Sequence, residues 1–140
     1  MEVNLFGTLG MTQAFAPILA GNGGGALANV ISVAAFANFP ALLSYSASKA
    51  ALHSVTQATR TRLKGQGTYV AGIYPGPVDT DMGRELQMEK AAPIEVARAV
   101  IADLEAGIEE IFPDAVARQL GPSFLKDPKG TELAVAAMAG

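Results

Sequence analysis

From Val3 to Ser48 the chain carries no charged residue and no histidine. So long an uncharged stretch is stable either across a membrane or covered by protein on both sides. Its most apolar window, VNLFGTLGMTQAFAPILAG, contains Asn4, Thr8, Thr12, Gln13 and Pro17 and runs into the cluster GNGGG. That is too polar for a span of about 20 residues, so no membrane association is expected. The stretch reads instead as a buried helix and a buried strand, with its own sheet on one side of the helix and a partner subunit on the other.

The rest of the chain alternates in the same way. A helix from about Glu2 to Leu19 ends at Gly21, and GALANVISV, Gly25 to Val33, is a short apolar strand. AAFANFPALL is a loop, and Ser44 is placed to cap a helix running to about Lys64, stopped by Gly65 and Gly67. TYVAGIYP, Thr68 to Pro75, is a second buried strand closed by Pro-Gly-Pro. A loop, with a short helix over MGRELQMEK, leads to PIEVARAVIADLEAG, which has proline in its first turn and Gly107 as its stop. EEIFP is a third strand, and an irregular, partly helical tail occupies 113–140. Strands alternating with helices imply a parallel sheet with right-handed crossovers, so the fold class is α/β.

At 140 residues this is a single domain, 1–140. A net charge of -3 without a basic run argues against nucleic acid as a partner. The absence of cysteine, and of a basic region before the first apolar stretch, points to the cytoplasm.

Sites in such sheets form at the carboxyl ends of the strands. Here those ends bring Ser32 and the Pro75-Gly76 turn to the rim from which the loop into the Tyr45 helix departs. Within YSASKAALHSV, Tyr45 and Lys49 are spaced i, i+4 and share a helix face. A phenol is a poor acid or base at neutral pH, and an ammonium beside it favours the phenolate. Other groupings carry less. GNGGG follows a helix and enters a strand, the reverse of a phosphate cradle, and reads as a tight turn. His53 reads as a packing or interface residue, since nothing forms a triad with it. Asp79 and Asp81 read as solvated or capping, so no metal site is expected. Glu105, Glu109 and Glu110 read as an exposed helix end and strand start.

Taken together, Ser32, Tyr45-x-x-x-Lys49, Pro75-Gly76 followed by Thr80, and Asn4 in VNLFG resemble the short-chain dehydrogenase/reductase family, from the first residues to about Asp114. The resemblance implies hydride transfer between NAD or NADP and a small-molecule alcohol or carbonyl. Tyr45 would be the general acid/base and Ser32 the partner of the substrate oxygen. Lys49 would lower the Tyr45 pKa and bind the nicotinamide ribose, and Asn4 would hold a water linking Lys49 to solvent. Tyr45, Lys49, Pro75, Gly76, Val78 and Thr80 would meet the cofactor. Val33, Met82 and Met88 would face the substrate, and core or lid packing explains these apolar residues equally well.

The family's Thr-Gly-x-x-x-Gly-x-Gly turn and its Asn-Asn-Ala-Gly do not occur in this sequence. The resemblance is therefore to the C-terminal part of a doubly wound Rossmann-type sheet. About three strands with flanking helices are present, and the N-terminal nucleotide-binding strands are missing. It implies a chain inactive alone, with the strand at Gly25 left as an unpaired apolar edge. The family's dimer interface uses the two helices that come first here. Homo-oligomerisation or pairing with a related chain is therefore expected, and a non-catalytic remnant or interaction module is the alternative function.

Overall fold

The computed structural model describes residues 1–81 and 89–138. The first helix opens with π-helical turns over Glu2–Gly7 and continues as α1, Thr8–Gly21. The glycine cluster then turns the chain sharply. Gly24 has φ of +116°, and a Cβ there would lie 2.5 Å from the Gly67 carbonyl oxygen, so only glycine fits this crossing of two backbones. The chain continues as β1 (Gly25–Val30), α2 (Leu43–Leu63), β2 (Thr68–Ile73), α3 (Pro93–Glu105), β3 (Glu110–Ile111), α4 (Ala115–Lys126) and α5 (Pro128–Met138).

The three strands are parallel in the order β1-β2-β3, with Gly25 opposite Thr68 and Val30 opposite Ile73. Helices cover both faces. On one, α2 and α4 bring Leu52 and Ala117 against Ile31, Val33, Phe36 and Tyr74; on the other, Val100 and Leu104 of α3 pack on Ala71, Ile73 and Ile111. The α/β class and the parallel sheet are as the alternation of apolar runs implies.

Burial departs from the reading of the apolar runs as buried elements and agrees with the unpaired edge that the resemblance implies for the strand at Gly25. β2, in the centre, is buried almost throughout, whereas β1 is exposed along most of its length, with Val30 at 60%. In α1 only Thr12 is buried, and Met11, Phe15 and Ile18 are exposed. Apolar sequence supplies the wish for cover; neighbours supply the cover. Among the described residues β1 has one partner strand, and α1 packs only on the side facing the sheet and α2. By length and composition alone, Glu2–Gly21 is apolar enough to cross a membrane, with a mean hydropathy of 1.2. Its bonds to the domain, described below, tie it to α2 and to the turn that leads into β2.

Two further details differ. Ser44 lies inside the first turn of α2 rather than capping it, because the chain enters through a 3-10 turn at Pro40–Leu42. The tail after Pro113 is two helices, and Phe112, Leu120 and Phe124 pack on the α2 core.

Candidate active site

α2 carries the central pair. Its buried face carries the short polar Thr56 and Thr59 beside Leu52 and Leu63, and Ser46 and Ser48 are buried as well. Thr56 satisfies its hydroxyl on the Leu52 carbonyl at 2.8 Å and takes the Asn29 side-chain amide at 3.0 Å. On this face Lys49 sits with its ammonium 5.6 Å from the centroid of the Tyr45 ring. The Lys49 side chain is buried, and its Nζ donates to the Val30 carbonyl oxygen at 2.9 Å. Burial pushes the amine below its ordinary pKa, because leaving water penalises the charged form. The Tyr45 hydroxyl has no hydrogen-bond partner among the described residues, and the residue is only partly covered.

Asn4 approaches from the opening turns of the first helix. Its side-chain amide donates to Ser48 Oγ at 3.1 Å, and Ser48 Oγ donates in turn to the Tyr45 carbonyl at 2.7 Å. Asn4 thus clamps the turn that carries Tyr45, and no direct bond to Lys49 is formed. At the far end of α1, Gln66 Nε2 donates to the Ala16 carbonyl and to Thr68 Oγ1, at 2.9 and 2.8 Å.

Ser32 lies two residues beyond β1. Its hydroxyl accepts the Ala34 amide at 3.1 Å, capping a short 3-10 turn over Val33–Ala35, and sits 3.5 Å from the Pro75 carbonyl oxygen. Ser32 and Pro75-Gly76 are therefore neighbours, as the strand-end argument requires, but no hydrogen bond joins Ser32 to Tyr45. Val33 is 6% exposed and packs in the core cluster. Val78 bridges Ala91, and the loop is pinned by Asp79 N–H to the Ala91 carbonyl at 2.9 Å and Ala91 N–H to the Pro77 carbonyl at 3.0 Å. The Thr80 amide donates to the Val78 carbonyl at 2.9 Å. Met82 and Met88 lie outside the described residues.

Three features escaped the sequence. The first is Asp114, buried at 6% exposure, which accepts the Gly76 amide at 2.7 Å and the Ala117 amide at 2.9 Å. Aspartate ahead of the apolar run AVARQL is an N-cap signal, so half of this role was legible. The second is the Val30 carbonyl under Lys49, for which a sequence has no signal. The third is Arg60, whose guanidinium joins the Val70 and Glu109 carbonyls and the Glu110 carboxylate, at 2.9, 3.1 and 2.7 Å. Glu110 is thus a staple across β2 and β3 rather than a solvated strand start. His53 is a packing residue: its Nδ1 lies 2.7 Å from the Tyr74 hydroxyl, and its ring meets Phe36 and Tyr74 edge-on.

A family profile described as short chain dehydrogenase matches residues 1–91. The chain belongs to the short-chain dehydrogenase family. Among curated relatives, an uncharacterized oxidoreductase of Staphylococcus saprophyticus is 34% identical over 108 residues, covering 75% of this chain and 46% of that protein. An uncharacterized oxidoreductase of Staphylococcus aureus is 35% identical over 104 residues, covering 72% and 45%. The chain spans about half the length of the curated relatives it matches. The fold superposes on a short chain dehydrogenase from Burkholderia cenocepacia in complex with NADP, with a TM-score of 0.90 and 39% identity over 96% of this chain and 56% of that one. A short-chain dehydrogenase from Sphingobium yanoikuyae in complex with NADPH shares the fold at a TM-score of 0.76 and 23% identity, over 89% and 52%. The matches to this oxidoreductase family include the exposed first helix, which is thus part of the dehydrogenase fold.

Proposed function

We propose that this chain supplies the acid/base part of an NAD(P)-dependent oxidoreductase that interconverts a small alcohol and its carbonyl compound. The observation that carries the reading is Lys49, a buried ammonium one helical turn from Tyr45, whose phenol hydroxyl is left without a partner among the described residues. A buried charge is costly, and a helix face keeps one where chemistry uses it.

The residues fit the nicotinamide end of such a cofactor. Lys49 has three N–H donors and gives one to Val30, so two remain for ribose hydroxyls. The Pro75-Gly76 turn and the pinned segment at Val78 and Thr80 stand at the end of β2, where a carboxamide would meet backbone. No helix N-terminus opening from a glycine turn after a strand occurs among the described residues, so the pyrophosphate end does not fit this chain. When bound, the nicotinamide supplies or accepts the hydride.

Tyr45 gives its proton to the carbonyl oxygen on reduction and takes it from the hydroxyl on oxidation. The Lys49 charge favours the phenolate that results. Ser32 turns its hydroxyl from the Pro75 carbonyl to the substrate oxygen and stabilises the charge developing there. Asn4 holds the turn bearing Tyr45 through Ser48. Val33, Met82 and Met88 are proposed on the substrate side, Val33 through its backbone because its side chain is in the core. The enzyme is proposed to be cytoplasmic and to work with a nucleotide-binding part, on the same polypeptide or on a paired chain. The exposed Phe6, Met11 and Phe15 also support the second reading, a module that pairs with a related chain without catalysis.

The test is a fluorescence titration with NADPH and NADH. It uses this chain fused behind the portion of the Burkholderia relative that the match leaves uncovered. Saturable binding, weakened at least about tenfold by Lys49→Ala, is expected for loss of a charge-assisted contact. Binding indifferent to Lys49→Ala would contradict the reading.

A further inference from the structure

The Pro75–Gly76 peptide group is held at both ends. Its carbonyl oxygen accepts the Val33 amide at 3.1 Å and has Ser32 Oγ at 3.5 Å. Its N–H donates to Asp114 Oδ2 at 2.7 Å. The other carboxylate oxygen of Asp114 accepts the Ala117 amide at 2.9 Å, and the Asp114 carbonyl accepts the Arg118 amide at 2.9 Å. One buried carboxylate therefore caps α4 and grips the turn at the end of β2 at the same time. The approach is close: a Cβ on Gly76 would stand 2.6 Å from Asp114 Oδ1 and 2.9 Å from Val116 Cβ.

We infer that Asp114 is a positioning residue, which sets the plane of the Pro75–Gly76 peptide and through it the turn that presents Ser32. The inference rests on the reading of Ser32 as the group that meets the substrate oxygen. A carboxylate is the strongest acceptor available to an amide, and an amide so bonded has a more strongly polarised carbonyl. The Val33 amide and the Ser32 hydroxyl meet that carbonyl. Rotating the peptide would move both acceptor and turn, so α4, some forty residues on in sequence, becomes part of the machinery at the β1 rim. Capping alone needs one oxygen of Asp114; the second is spent on Gly76.

Asp114→Asn separates the two tasks. Its side-chain oxygen can still cap α4, and its amide then meets the Gly76 N–H donor to donor. The readout is residue-resolved NMR on the full chain. In Asp114→Asn the Gly76 and Val33 amides are expected to exchange with solvent about tenfold faster or more, the scale of a lost charge-assisted bond. The Ser32 Cβ signal is expected to move, while the Ala117 amide and the Asn29–Thr56 pair stay unchanged. Unchanged Gly76 and Val33 amides, or a uniform rise in exchange at every site, would overturn the inference. Should Asp114→Asn fail to fold, the unsubstituted chain decides. Through-bond couplings from Gly76 N–H to the Asp114 carboxylate and from Val33 N–H to the Pro75 carbonyl must both be present, and the lack of either refutes it. None of these readouts needs cofactor or turnover, so a chain that binds no nucleotide leaves this test intact. In the fusion with the nucleotide-binding part, Asp114→Asn is expected to lower kcat at saturating NADPH, as loss of alignment does.

Discussion

Lys49 Nζ donates to the carbonyl oxygen of Val30 at 2.9 Å, so the ammonium of the Tyr45 helix is anchored on the last residue of β1. The neighbouring Ile31 amide bonds the Ile73 carbonyl, and groups along a parallel strand alternate in direction. The Val30 carbonyl therefore faces the open side of β1, where water can replace Lys49. Burial lowers the pKa of the amine, which means that its charge costs the fold free energy. Lys49→Met is accordingly expected to fold with a stability within about 1 kcal/mol of the parent or higher, while losing nucleotide binding in the fusion. Urea denaturation gives the first half of that statement. A loss of several kcal/mol would make Lys49 a structural residue.

His53 predicts a pH dependence. Its pKa is lowered, chiefly by burial, with the Glu110 charge opposing and Arg60 assisting. The unfolded chain takes up a proton near pH ~6.5, whereas the folded chain resists until a lower pH. Stability is therefore level above that value and falls as pH drops from it toward the folded pKa. Thermal unfolding between pH 5 and 8, compared with His53→Gln, should show this slope in the parent and a flatter one in the variant. Parallel slopes would mean that other groups govern the acid side.

Arg60 makes three hydrogen bonds to β2 and β3 and pairs with Glu109 and Glu110 at 3.4 and 2.7 Å. β3 is only two residues long, so this staple adds to the few ladder bonds and the buried Ile111 that attach it. Arg60→Lys cannot reproduce the fork and is expected to cost about 1–2 kcal/mol, with Arg60→Ala costing more. Faster amide exchange at Tyr74, whose N–H bonds the Ile111 carbonyl at 2.8 Å, would report the loosening of β3. Equal midpoints for Arg60→Lys and the parent would argue that the pairing is idle.

Ser46 offers the opposite case. It is 3% exposed, and its hydroxyl has no hydrogen-bond partner among the described residues. Ser46→Ala removes an unsatisfied polar atom and improves helix propensity, so a gain of about 0.5–1.5 kcal/mol is expected. A loss measured by urea denaturation would mean that the hydroxyl finds a partner in solution.

How far the sequence reads depends on range. Strands at Gly25 and Thr68 and the helix at Pro93 were legible because apolar runs are bounded by glycine and proline, which act locally. Cover was legible only through the resemblance, which implied an unpaired edge at the Gly25 strand; the apolar residues of β1 and α1 by themselves read as buried. The tail is more regular than expected, although it carries Gly121, Pro122 and Pro128. Gly121 is buried where Phe112 packs against it, and Pro122 is held within α4. At the site, Tyr45 with Lys49 was legible as a spacing within one helix. The grip of Asp114 on Gly76 spans 38 residues, and no local pattern announces it.

The central claim is that Tyr45 moves the proton. Carbonyl reduction by the fusion, followed as NADPH consumption with a panel of small ketones and aldehydes, tests it with Tyr45→Phe, which removes one oxygen and keeps the ring. The account predicts turnover in the parent and a fall in kcat of about a hundredfold or more in Tyr45→Phe, with NADPH affinity nearly unchanged. Turnover that survives Tyr45→Phe undiminished would contradict it.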